Sequence, residues 1–126
     1  MERTKKFTLK GNSYTIEFPT AGQFIDIETK KSELSHGQWG KMVLSPTIST
    51  FRSVQMMECI SILSVICPKL MEDLKVSDLT KIDLIDLTEI LKVYVKEIYP
   101  WYNDWFKEFN KAFVDDLEGD NTEDSK

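Results

Sequence analysis

Phe7-Thr8-Leu9 and Tyr14-Thr15-Ile16-Glu17-Phe18 alternate apolar and polar positions. A period of two marks strands with one buried face. Lys10-Gly11-Asn12-Ser13 lies between them. A two-residue Gly11-Asn12 turn pairs Lys10 with Ser13, Leu9 with Tyr14 and Phe7 with Ile16. That register places Phe7, Leu9, Tyr14, Ile16 and Phe18 on one face. A lone hairpin is marginal in water, so this face needs helices or a partner.

At Phe18-Pro19-Thr20-Ala21-Gly22-Gln23 the period changes. Pro19 disfavours the helical region for Phe18 and ends the strand. Thr20 and Gln23 have the spacing of a capping box, with Pro19 and Phe24 at the staple positions. A helix should follow through Phe24, Ile27, Lys31 and Leu34 and stop near Ser35-His36-Gly37. Phe24-Ile25-Asp26-Ile27 also alternates like a strand, so its first turn is ambiguous. The hinge reads as geometry rather than chemistry.

Residues 36–50 carry glycines, Pro46 and several hydroxyl residues. They predict an ordered loop pinned by Trp39 and Met42. A helix apolar on more than one side runs from Thr50 to Cys67, stops at Pro68 and belongs at the centre of a bundle. Leu70 to Leu79 predicts a short turn of helix and a loop. Asp83 is a candidate N-cap for a helix whose stripe is Leu84, Leu87, Leu91, Tyr94 and Ile98. Pro100 should break it. A last helix, Trp101 to Leu117, would bury Tyr102, Phe106, Phe109 and Phe113. The fold class is α+β, an N-terminal β-hairpin packed on a bundle of about four helices. Residues 1–114 form one domain, and 115–126 an acidic disordered tail.

With 126 residues, the chain can bury a core without staples. Cys59 and Cys67 lie in one expected helix, about 12 Å apart in rise, beyond disulfide reach. Their usage suits a reducing, intracellular setting. Met1 to Lys6 is basic, but no long apolar run follows it, so no signal peptide is expected. The longest apolar stretch, Met56 to Cys67, is short of the roughly 20 residues that span a bilayer. The chain reads as soluble, with no membrane partner.

Charge is unevenly spread. The net −5 resides in the tail, where six acids face one lysine, Lys126, after residue 114. The body is neutral, with 15 acids and 15 bases. Nucleic-acid binding needs a surplus of Lys and Arg, so it is not expected.

Candidate chemistry is sparse. His36 is the only histidine, and neither cysteine lies near it in sequence. Asp83, Asp86 and Glu89 share the spacing of a paired-acid or metal site. They equally suit a helix N-terminus, where acids complement the macrodipole. The acidic tail does not fit the calcium-loop frame. No phosphate-cradling, dinucleotide, zinc-protease or nucleophile-elbow motif occurs. No catalytic, metal-binding or cofactor-binding residue is assigned. Seven aromatics between Tyr99 and Phe113 include Trp101 and Trp105 off the main stripe, and tryptophans anchor interfaces. Trp101, Trp105, Phe7 and Tyr14 are the candidate partner-binding residues.

The N-terminal third resembles the small tail assembly chaperones of tailed bacteriophages. Phe7, Leu9, Gly11, Tyr14, Ile16, Pro19, Thr20 and Gly22 carry the likeness: strand, glycine turn, strand, then a Pro-Thr-x-Gly step into a helix. Gln23 departs from it, because an acid often follows that glycine in such chains. The resemblance implies a non-enzymatic role, coating tape-measure protein and recruiting tail-tube subunits in the host cytoplasm. The runner-up is a virion subunit of tail, neck or connector, and a third reading is a host-directed regulatory binding protein. An uncovered hairpin edge would admit a homo-oligomer.

Overall fold

Strand β1 (Thr4–Leu9) and strand β2 (Asn12–Glu17) form an antiparallel hairpin. In this computed structural model, residues 1–45 and 47–124 are described, with side chains through Phe113. The turn is Lys10-Gly11, not the Gly11-Asn12 expected from sequence. Phe7 therefore pairs with Tyr14, Leu9 with Asn12 and Lys5 with Ile16. Lys10 and Gly11 have φ of 50° and 81°. A two-residue turn with both centres at positive φ matches the strand twist, and glycine suits the second position. The partner shift is two residues, an even number, so the same side chains keep the inner face. Phe7, Leu9, Tyr14 and Ile16 are all buried.

Helix α1 (Ala21–Leu34) begins as its sequence requires. Gln23 N–H donates to Thr20 Oγ1 at 3.3 Å, and Thr20 N–H donates to Gln23 Oε1 at 2.9 Å. The expected stripe is borne out: Ile27 and Lys31 are buried, and Phe24 and Leu34 are half-buried. Lys31 pairs with Glu28 at 2.8 Å and lies over the Trp39 ring at 5.0 Å. Those contacts let a lysine occupy a core position. Thr20→Ala should cost about 1 kcal/mol. Chemical denaturation checks it, and an unchanged midpoint would mean that the cap contributes nothing.

The expected loop over 36–50 is partly helical. Helix α2 spans Trp39–Leu44, and α3 spans Ile48–Ile66, starting ahead of Thr50. Thr47 caps α3 and Thr50 answers it, a box closed by two threonines. The usual box has Glu or Gln at the second position, so Thr50 there hid this start in the sequence. Pro68 ends α3 as expected, but it also opens α4 (Pro68–Leu74), where a first-turn proline loses no hydrogen bond. A 3₁₀ turn at Leu79–Lys81 precedes α5 (Leu84–Val93).

Pro100 does not break the chain's last helical run. A π turn, Tyr94–Ile98, joins α5 directly to α6 (Tyr99–Asp124). Tyr99 N–H donates to Tyr94 O across five residues. Pro100 then sits in the first turn of α6, where its missing N–H is tolerated.

The hairpin's inner face packs through β1 on α5 and the π turn, while α1 and α2 pack on α3. Ile62, Leu63 and Cys59 of α3 are sealed in the centre. The fold is α+β: one hairpin followed by helices, four of them of ten residues or more. No single helix among the described residues is long and apolar enough to cross a membrane. Residues Ile48–Ile66 and Pro68–Lys81 are apolar enough only when taken together, across a 99° bend. The expected disordered tail, 115–126, falls on side chains outside the described residues.

Candidate functional site

A wide depression lies at the hinge. Pro19 ends β2 and turns the chain, so Phe18 and Phe24 flank one short corner. Helix α6 passes this corner and supplies Trp105, Glu108 and Phe109. Arg3, Ile25 and the hinge residues Pro19 to Ala21 complete an open groove of about 570 Å³. That is within the usual range for ligand sites.

Its walls are held by stacked aromatics. Phe18 stacks on Trp105 at 5.8 Å between centroids, and Phe24 lies 5.0 Å from Phe109. Such pairs add about 1 kcal/mol beyond their buried area. Ile25, next to Phe24 but off the buried stripe, is 63% exposed at the mouth. Several of the groove's polar groups already have partners. Thr20 Oγ1 caps α1, the Arg3 guanidinium donates to the Phe18 carbonyl at 3.3 Å, and Glu108 pairs with Lys111 at 3.0 Å. The groove is thus lined mainly by apolar side chains.

The four sequence candidates divide. Trp105 lines the groove, and Trp101 stands beside it in edge contact with Phe18 at 6.3 Å. Both indole N–H groups donate to the Glu2 carbonyl, at 2.8 and 2.6 Å. One carbonyl has two lone pairs, so the tryptophans pin the N-terminal segment against α6. Phe7 and Tyr14 are a correction. Both are 4% exposed and stack on each other at 5.4 Å, so they serve the core. Tyr14 donates to Asp73 at 2.7 Å, and burial with that carboxylate pushes its phenol up to about 12.

Two apolar stripes also differ from expectation. Leu84 is exposed at the start of α5, and Ile90 takes its place inside. Phe109 and Phe113 are exposed, because α6 outruns the core that Tyr102 reaches.

The acidic cluster is structural. Asp83 caps α5 by accepting from Ile85 N–H at 2.8 Å. Asp86 faces Lys10 at 3.5 Å, and Glu89 faces Lys92 at 3.4 Å. His36 is an exposed left-handed residue just after α1. Both cysteines are free and buried, and burial raises both thiols. Among the described residues, no three metal-ligating side chains gather.

No family model matches the chain, and neither a curated protein nor a solved structure matches it. Function therefore rests on the groove and on the sequence itself.

Sequence reasoning missed Ile25, Phe24 and Arg3 as groove residues. The available signal was Ile25, an isoleucine adjacent to the helical stripe but out of phase with it. The hinge, read as geometry alone, also builds the wall of the site.

Proposed function

We propose that the protein is a non-enzymatic interaction module of bacteriophage morphogenesis. In this reading it is a tail assembly chaperone that holds apolar segments of tape-measure or tail-tube proteins in the hinge groove, in the host cytoplasm. The observation that carries the binding role is the open apolar groove at Phe18–Ile25 and Trp105–Phe109. Its aromatic lining suits interface anchors. The phage assignment rests on the strand–turn–strand–Pro-Thr-x-Gly likeness, and Pro19 and Thr20 belong both to that likeness and to the groove.

Ile25→Asp places a charge at the mouth without touching the core, since Ile25 is largely exposed. On co-expression with the tape-measure and tail-tube proteins of the same phage, the parent chain should co-elute with one of them. The variant should lose at least about tenfold in affinity, because an unpaired buried charge costs more than 1 kcal/mol. Co-elution unaffected by Ile25→Asp would remove the groove from the account. Mass spectrometry of purified particles separates the roles: a chaperone is absent, whereas a fixed copy number there would make the chain a virion subunit.

A further inference from the structure

Two adjoining cavities lie away from the hinge groove, between α3 and the start of α6. One, of about 150 Å³, is lined by Phe51, Val54, Gln55, Glu58 and Tyr99. The other, of about 110 Å³, shares Glu58 and Tyr99 and adds Lys31, Tyr102 and Asn103. None of these residues lines the hinge groove. Glu58, the only acid on α3, thus borders both cavities.

Glu58 has no cation of its own. Among the described residues it forms no ion pair. Arg52, the one base on α3, precedes it by six residues and lies about 120° away round the helix. Lys31 borders the second cavity, but it pairs with Glu28 at 2.8 Å and lies over the Trp39 ring at 5.0 Å. The Tyr102 hydroxyl, on a residue only 5% exposed, has no hydrogen-bond partner among the described residues. A half-buried carboxylate between apolar walls with no counter-charge costs free energy that a bound cation returns. One Glu58 oxygen already accepts from the Tyr94 hydroxyl. The single oxygen left suits the point charge of an ammonium better than the two-pronged guanidinium.

We propose that Glu58 anchors a site for a primary alkylammonium, with the charged end on its free carboxylate oxygen and the alkyl stem between Phe51, Val54 and the Tyr99 ring. An ammonium has three donors, and the Gln55 side-chain carbonyl and the Tyr99 ring face are there to take the others. The cavity is well below the roughly 300–1,000 Å³ of drug-sized sites, so the ligand is short. A free alkylamine and the side chain of a lysine both supply that chemistry. This site is independent of the hinge groove and of the role proposed for it.

The full chain, isotope-labelled for amide NMR, is titrated with n-pentylamine, its neutral isostere n-pentanol, and acetyl-lysinamide. Pentylamine should move the α3 amides from Phe51 to Glu58 and that of Tyr99, with a Kd of about 1 mM or below. Pentanol should bind at least about tenfold more weakly. Glu58→Gln keeps an acceptor for Tyr94 and should cost the amine at least about tenfold while leaving pentanol unchanged. Gln55→Lys places a tethered ammonium three residues before Glu58, within side-chain reach on a helix. It should raise the denaturation midpoint and exclude free pentylamine, which tests the site even if Glu58→Gln fails to fold. Acetyl-lysinamide matching pentylamine would assign the site to a lysine side chain, and binding at least about tenfold weaker would assign it to a free amine.

Equal binding of pentylamine and pentanol would overturn the charge recognition, and with it the site. So would pentylamine binding that survives both Glu58→Gln and Gln55→Lys, or amides of α3 and Tyr99 that do not move. Tighter binding of n-butylguanidinium than of pentylamine would overturn the choice of ammonium. Each of these results leaves the hinge groove to be judged by its own test.

Discussion

Raising the pH from neutrality to about 11 is expected to unfold this protein, and the loss should come in two stages. Burial pushes up the Cys59 thiol, with the Glu58 carboxylate adding to it, and burial likewise raises Cys67. Burial, then the neighbouring Glu58, pushes up the Tyr94 phenol, while burial followed by Glu28 and Glu58 pushes up Tyr102. The unfolded chain releases thiol protons near about 8.5 and phenol protons near about 10. The folded chain holds them beyond those values. Above each threshold the unfolded state binds fewer protons than the folded one, so unfolding free energy falls as pH rises.

Each fully retained proton removes about 1 kcal/mol per pH unit. Two thiols act first, and the buried phenols join above about pH 10. A small domain is held folded by only roughly 5–15 kcal/mol, so several such groups acting together weigh heavily on it. Guanidinium unfolding in reducing buffer at about pH 7.5, 9, 10 and 11 reads both stages. Replacing Cys59 with alanine should flatten the first stage, since one of the two raised thiols is gone. Stability that stays level to pH 11 would contradict the burial of all these groups.

Much of the fold was legible because its local signals agree with one another. Alternation fixed the hairpin and its inner face, and the Thr20–Gln23 spacing fixed the start of α1. The turn lies one residue earlier than the Gly11-Asn12 turn expected from sequence, because Gly11 serves as its second residue rather than its first. The choice depends on which pair leaves glycine at the second, most positive φ. Helix α2 was missed because its six residues include Gly40, follow closely on Gly37 and have no side-chain cap, while its support comes from packing on α3. Burial of Phe7 and Tyr14 followed from the inner face already assigned to them. Being aromatic does not by itself make them partner residues, since β1 packs that face on α5 and the π turn. The groove was hidden for another reason: it joins Arg3, the hinge and α6, which lie about a hundred residues apart in sequence.

The continuous helix through Pro100 was legible in a spacing that the proline obscured. Buried positions run Leu87, Ile90, Tyr94, Ile98 and Tyr102, with half-buried Phe106 next. Four successive steps of four, from Ile90 to Phe106, drift by about 40° each in a regular α-helix, enough to carry Phe106 away from the core. The wider π turn at Tyr94–Ile98 takes up the extra residue and keeps that side aligned. The same turn receives Pro100, since the hydrogen bond closing it runs from Tyr99, one position earlier.

Tyr94 holds this joint together, and its truncation should be among the most damaging single changes. Its side chain is 0% exposed, its hydroxyl donates to Glu58 on α3, and its ring lies 6.0 Å from Tyr99. Tyr94→Ala should cost about 3–5 kcal/mol, the range for emptying a buried aromatic site. Tyr94→Phe keeps the ring and removes only the donor, leaving a half-buried Glu58 carboxylate short of its partner. That should cost about 1–3 kcal/mol. The pair separates packing from hydrogen bonding at one position. Denaturant unfolding of both variants at neutral pH is the measurement. Tyr94→Phe also removes one titrating phenol, so its stability should fall less steeply above about pH 10 than that of the parent. Were alanine no worse than phenylalanine, the ring would contribute nothing, and the π turn would have to be held by something other than Tyr94.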